Sequence, residues 1–199
     1  MSIAKKFMKA KLSNEITDQL KILLETVEYP LAIRSSSMFE DSQTSPFAGL
    51  YSTYMLPNNN PDIRFRLKEL CKAVKLIYAS VFYRSPKEYV RNMEFRIEDE
   101  KMSIIIQRIA GRRFDDLIYP IVSGVAQSYN FYPIKPMKPD EGIVQLTLGL
   151  GVTIVEGGRS YRFSPKYPKI TSPFLSVFEF MDKSQSSFYA LDISNPKLT

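Results

Sequence analysis

Near residue 100 the spacing of apolar side chains changes character, and that change limits what this chain can fold into more than any single motif does. Before it, apolar residues recur at intervals of three and four. Ile16, Leu20, Leu23, Leu24 and Val27 mark a helix over 14–28, with Ser13 or Asn14 able to cap its start and Pro30 marking its stop. Leu67, Leu70, Cys71, Val74, Ile77, Tyr78 and Val81 give the inner face of a longer helix over 63–82, and Pro86 opens a shorter one through Tyr89 and Val90. Beyond residue 100, β-branched runs take over at 102–109, 118–125 and 143–148, followed by a short strand-like piece at 161–163. The expectation is an α+β chain of two lobes meeting near residue 100, with 1–100 mostly helical and 101–199 mostly strand. The tail from Ser164 onward has four prolines and weak periodicity, and no element is legible in it.

The residue types present exclude several chemistries. Histidine is absent from all 199 residues. A Ser-His-Asp or Cys-His arrangement, an imidazole metal site and a phosphohistidine are therefore impossible within this sequence. A single cysteine, Cys71, rules out an internal disulfide and a structural zinc site, and it favours a reducing, cytoplasmic setting. Any metal would be a hard cation on Asp and Glu oxygens together with ligand phosphates. The longest apolar runs fall far short of the roughly 20 residues that span a bilayer. The lysine-bearing start, MSIAKKFMKAKLSNEI, has no apolar run behind it, which argues against a secretory signal.

A net charge of +6 and a pI near 9.3 suit a polyanionic partner such as nucleic acid, a nucleotide or a phosphorylated metabolite. The 13 Phe and 12 Tyr are spread through apolar runs instead of being interleaved with Lys and Arg on one stripe. That distribution suits core packing better than base stacking. Lys5, Lys6, Lys9 and Lys11 read as the solvated edge of a basic helix. The acidic pairs Glu40-Asp41 and Asp115-Asp116 read as solvated loop residues ahead of a magnesium site.

Residues 31–56 carry the most chemistry. A strand-like run delivers Arg34 into Ser35, Ser36 and Ser37, a polar loop leads to Phe47-Ala48-Gly49, and the next strand-like run carries Thr53. One guanidinium, several hydroxyls and a glycine that lets backbone approach a ligand are the parts needed to hold a polyphosphate.

Arg34-Ser35-Ser36, Glu40-Asp41, Phe47-Ala48-Gly49 and Thr53, in this order and spacing, resemble the nucleotide-binding domain of the phosphoenolpyruvate synthase and pyruvate phosphate dikinase family. Further along, Ala79-Ser80 with Arg84, Tyr89 and Arg91 resembles its second helical signature. The stretch Ile106-Gln107-Arg108-Ile109 resembles a family strand, and Ser123-Gly124-Val125 and Gly149-Leu150-Gly151 resemble two further landmarks. The resemblance implies an ATP-grasp-like, two-lobed domain that clamps ATP, with Mg2+, and passes a phosphoryl group to a histidine on another domain. That phosphohistidine carrier would in turn serve a barrel domain making phosphoenolpyruvate from pyruvate.

By the same resemblance, Arg34 clamps phosphate, Ser35 and Ser36 donate to it, and Gly49 and Thr53 meet the nucleotide through backbone and hydroxyl. Gln107 falls in the strand that resembles the adenine-side connection, and no catalytic or metal-ligating residue is assigned. Each has a plainer alternative. Arg34 could pair with Glu40 or Asp41, the serines could cap the loop, and Gly49 could serve a turn. Thr53 and Gln107 could be ordinary strand residues.

The sequence also departs from the family. Leu50-Tyr51 replaces paired glutamines, Ala126-Gln127-Ser128 replaces apolar residues and Thr, and Val152 stands where an acidic residue follows the Gly-Leu-Gly. A Gly-Lys near the start and a Glu-x-x-Gln-x-Arg-like ending are not found. The expectation is a partial domain, part of a larger phosphotransferase, that holds ATP without completing the reaction alone. The competing expectations are a nucleic-acid-binding module and a folded lobe inactive in isolation.

Overall fold

Capping side chains explain where the N-terminal helices begin. In the computed structural model, which describes residues 2–38, 49, 51–91, 96, 99–155, 157–169, 178, 181–182 and 184–198, helix α1 spans Ile3–Lys9 and α2 spans Asn14–Thr26. The Ser2 hydroxyl accepts the Lys5 N–H at 3.4 Å, and the Ser13 hydroxyl accepts that of Ile16 at 3.3 Å. Helix α3, Ile63–Ser80, starts where the Asp62 carboxylate accepts the Arg64 N–H at 2.8 Å. Helix α4, Arg84–Val90, holds Pro86 in its first turn, where a missing N–H leaves no helical bond unmade.

The strands are β1 (Leu31–Ser37), β2 (Thr53–Leu56), β3 (Met102–Arg108), β4 (Arg112–Phe114), β5 (Leu117–Tyr119), β6 (Val122–Gln127), β7 (Ile143–Leu148), β8 (Tyr161–Phe163) and β9 (Leu191–Asp192). A one-turn helix α5, Val152–Val155, follows β7, and the architecture is mixed α+β. The chain divides into two compact units, Met1–Ile109 with Asp192–Thr199, and Ala110–Leu191.

In the first unit a three-stranded antiparallel sheet has the order β2-β1-β3. Its register sets Arg34 opposite Thr53 on one side and Ile105 on the other, and Ala32 opposite Met55 and Gln107. Because side chains alternate along a strand, Leu31, Ile33 and Leu56 point to one face, where they pack with Leu24 and Val27 and with Leu70, Ala73 and Ile77 of α3. Leu24, Ile33, Leu70 and Ile77 are wholly buried, each worth about 1.5–3 kcal/mol of apolar burial. The opposite face carries Ala32, Arg34, Ser36, Thr53, Met55, Ser103, Ile105 and Gln107. Of these Arg34, Thr53, Ser103, Ile105 and Gln107 are exposed.

The buried stripe of α3 includes the expected Leu70, Val74 and Ile77, with Val81 buried just beyond its end, and is wider than its apolar pattern suggests. It runs through Arg66, Glu69, Leu70, Ala73, Val74, Ile77 and Ser80, while Tyr78 is exposed and Cys71 half-buried. Two charged residues can lie inward because each has a partner there. The Arg66 guanidinium donates to the Val27 carbonyl at 3.0 Å, and the Glu69 carboxylate accepts the Leu198 N–H at 3.0 Å. Burial also pushes the Cys71 thiol above its ordinary value, against the opposing pull of Lys75.

The second unit contains the antiparallel sheet β6-β7-β8 and a β4–β5 hairpin joined by β9. The apolar run at 118–125, expected as one strand, is two. Pro120 falls between β5 and β6 and has no N–H to offer a ladder. Among the described residues no helix is long and apolar enough to cross a membrane.

Candidate phosphate-binding site

The open face of the first unit's sheet gathers four of the six residues that the sequence marks for ligand contact. Arg34 and Thr53 are directly opposite across β1 and β2, and Ser36 lies two residues beyond Arg34 on the same side. Gln107 enters from β3, 73 residues away in sequence, and its Oε1 accepts a hydrogen bond from Arg34 Nη1 at 3.4 Å. At that length a bond to a neutral acceptor is weak, and the guanidinium would exchange it for a charged acceptor. Arg34 takes part in none of the ion pairs formed among the described residues. Among the described residues its guanidinium is thus oriented by a neutral amide, not by a carboxylate.

Ser35 is not brought to this face. Strand alternation turns it toward the helix side, with Leu31, Ile33 and Ser37. Gly49 is exposed in a turn with φ of +79°, a left-handed conformation that favours glycine. Glu40, Asp41, Phe47, Ala48 and Leu50 lie outside the described residues.

Both ends of the 39–50 connection meet one carboxylate. Glu100 Oε1 accepts the Met38 N–H at 3.1 Å, and Glu100 Oε2 accepts the Tyr51 hydroxyl at 2.5 Å. Met38 N–H also reaches the Lys101 carbonyl at 3.3 Å. Tyr51 is buried. The next residue is tied as well, because the Ser52 N–H donates at 3.3 Å to the hydroxyl of Ser80, which itself donates to the Ile77 carbonyl at 2.7 Å. Ser80 therefore holds the segment that enters β2. Glu100 escaped the sequence reading because nothing in local spacing ties it to residues 38 and 51.

Several of the other landmarks have defined contacts of their own. Arg84 and Arg91 line a cleft of about 380 Å³ with Ile3, Phe82, Lys87 and Glu88, none of which shares the Arg34 face. Arg84 Nε is paired there with Glu88 Oε1 at 2.7 Å. In the second unit the Ser123 hydroxyl donates to the Gly149 carbonyl at 2.7 Å, and the Leu150 N–H donates to the Tyr189 carbonyl at 2.8 Å. A side chain at Gly124 would lie 2.6 Å from the Gln145 carbonyl oxygen, so the strand pair β6–β7 requires glycine there.

The donor set on the Arg34 face, one guanidinium with the hydroxyls of Thr53 and Ser36, fits a phosphate group. Among the described residues no three Asp, Glu or Cys side chains gather as a metal site.

Comparison with known proteins places these features in a family. The family model of the pyruvate phosphate dikinase AMP/ATP-binding domain matches residues 1–189. The uncharacterized phosphotransferase YvkC of Bacillus subtilis (strain 168) is 30% identical over 155 residues, covering 73% of this chain. The aligned part amounts to 16% of that relative's length.

Proposed function

This chain belongs to the family of the pyruvate phosphate dikinase AMP/ATP-binding domain, and on that premise we propose that it is the ATP-binding part of a larger phosphotransferase whose phosphoryl acceptor is a histidine on another domain. The observation that carries the reading is the juxtaposition of Arg34, Thr53 and Gln107 on one open sheet face. Arg34 gives charge-assisted hydrogen bonds to phosphate oxygens, each worth about 1.5–3 kcal/mol, in exchange for its weak bond to Gln107. Thr53 and Ser36 add hydroxyl donors beside it, and Gly49 offers backbone without a side chain in the way. Ser35 acts through the shape of the strand instead of by direct contact, since it is on the helix side.

In this reading the phosphate-binding lobe, expected over 1–100, extends through β3 and Gln107 to Ile109, and the second lobe of an ATP-grasp-like partial domain follows it. Mg2+ bound with the nucleotide would supply charge neutralisation at the phosphates, and among the described residues no three Asp, Glu or Cys side chains are grouped to hold it. The family's acidic residue after Gly-Leu-Gly is Val152 here. The chain's share of the reaction is accordingly positioning and charge stabilisation, with the phosphohistidine carrier and a phosphoenolpyruvate/pyruvate barrel as partner domains. The setting proposed is cytoplasmic, consistent with one free thiol and no disulfide.

Calorimetric titration separates this reading from nucleic-acid binding. The expected result is nucleotide-specific heat with a non-hydrolysable ATP analogue and none with a single-stranded oligonucleotide at matched salt. Saturable oligonucleotide binding without a response to the analogue would overturn it.

A further inference from the structure

We infer that Glu100 is a positioning residue for the nucleotide site, clamping both ends of the 39–50 connection against the strand that carries Gln107. The inference rests on the nucleotide reading above and adds a residue that neither the motif nor the family match singles out.

The geometry is specific to a carboxylate at this point of the chain. Met38 directly precedes the connection and Tyr51 directly follows it. The two oxygens of Glu100 each take one of these ends, at 3.1 Å and 2.5 Å. Both partners are donors, a backbone N–H and a phenolic O–H, so an ionised carboxylate satisfies both without a mismatch. Glu100 stands two residues before β3 begins at Met102, and β3 carries Gln107, the acceptor that orients Arg34. A single side chain thus fixes the spacing among three things: the end of the Arg34 strand, the start of the segment leading to Thr53, and the Gln107 strand. Buried Tyr51 makes the anchor rigid on its side, and the Ser80 hydroxyl holds the adjacent Ser52 N–H. If the ends of the connection were released, Gly49 and Thr53 would lose their fixed relation to Arg34. Site precision of this kind depends on supporting groups that do not touch the ligand.

The test uses three variants of the whole chain. Glu100→Ala removes both bonds and Tyr51→Phe removes one. Glu100→Gln can keep both, with its carbonyl on Met38 N–H and its amide donating to the Tyr51 oxygen. Affinity for a non-hydrolysable ATP analogue is read by calorimetry, the fold by thermal midpoint, and release of the connection by the rate of proteolytic cleavage between residues 38 and 51. Glu100→Ala is expected to bind about tenfold more weakly, Tyr51→Phe severalfold more weakly, and Glu100→Gln within about threefold of wild type. Cleavage should accelerate in the same order. Rescue by Gln distinguishes a positioning role from general stability, and Tyr51→Phe decides the matter if Glu100→Ala does not fold. Wild-type affinity and unchanged cleavage in both Glu100→Ala and Tyr51→Phe would overturn the inference. A wild-type chain that gives no heat with the analogue would instead overturn the nucleotide reading on which it rests.

Discussion

Thr53 separates a ligand-binding hydroxyl from an ordinary strand residue. It faces Arg34 across the β1–β2 ladder and is exposed. Val has the same branched shape and strand preference but no donor. Thr53→Val should therefore weaken binding of an ATP analogue by roughly 2- to 10-fold while the thermal midpoint stays put; calorimetry and a melting curve give both numbers, and unchanged affinity would return Thr53 to a structural role. Arg34 and Thr53 were legible in sequence because their spacing around Gly49 is fixed by a local motif. The bond between Arg34 and Gln107 was not, since it depends on a register formed between residues 73 positions apart. Ser35 shows the converse limit. A motif places three consecutive residues together, yet a strand turns the middle one to the other face.

Among the elements, α2, α3 and the strands at 143–148 and 161–163 follow their apolar periodicity closely. The buried stripe of α3 is wider than expected because periodicity counts apolar residues only. Arg66 and Glu69 go inward on the strength of hydrogen bonds to Val27 and Leu198, partners that no local pattern reveals. Pro120 likewise splits a run whose composition alone reads as continuous. The start of α3 should matter measurably. Asp62→Ala removes the acceptor of the Arg64 N–H and is expected to cost about 1 kcal/mol. Chemical denaturation checks this, and Asp62→Asn, which keeps an acceptor, should recover most of it.

At the scale of the molecule, the chain leaves its first unit after Ile109 and re-enters it at Asp192. The returning segment is tied by the Asn59 side-chain amide on the Ile193 carbonyl at 2.7 Å, and Leu198 packs on the core. Single contacts such as these leave no periodic trace in the sequence of 193–198. The second unit has an ion pair with a defined pH signature. Lys166 Nζ donates to Glu141 Oε1 at 2.6 Å, and the Lys138 N–H donates to Glu141 Oε2 at 2.8 Å. These bonds hold Glu141 below its ordinary value of 4.5 and raise Lys166 above 10.5. A depressed carboxylate contributes stability above its ordinary value and loses it as pH falls through the folded one. A raised ammonium contributes below its ordinary value and loses it as pH rises through the folded one. The gap in thermal midpoint between wild type and Glu141→Gln should hold across neutral pH and close below 4.5 and above 10.5. A gap independent of pH would contradict the assignment.

The central claim is that Arg34 on an open sheet face holds the phosphates of ATP. Calorimetry with a non-hydrolysable ATP analogue on wild type and Arg34→Ala tests it most directly, with melting curves run in parallel. The expected result is a loss of about 10- to 100-fold in affinity with little change in thermal midpoint. Equal affinity in the two proteins would contradict it.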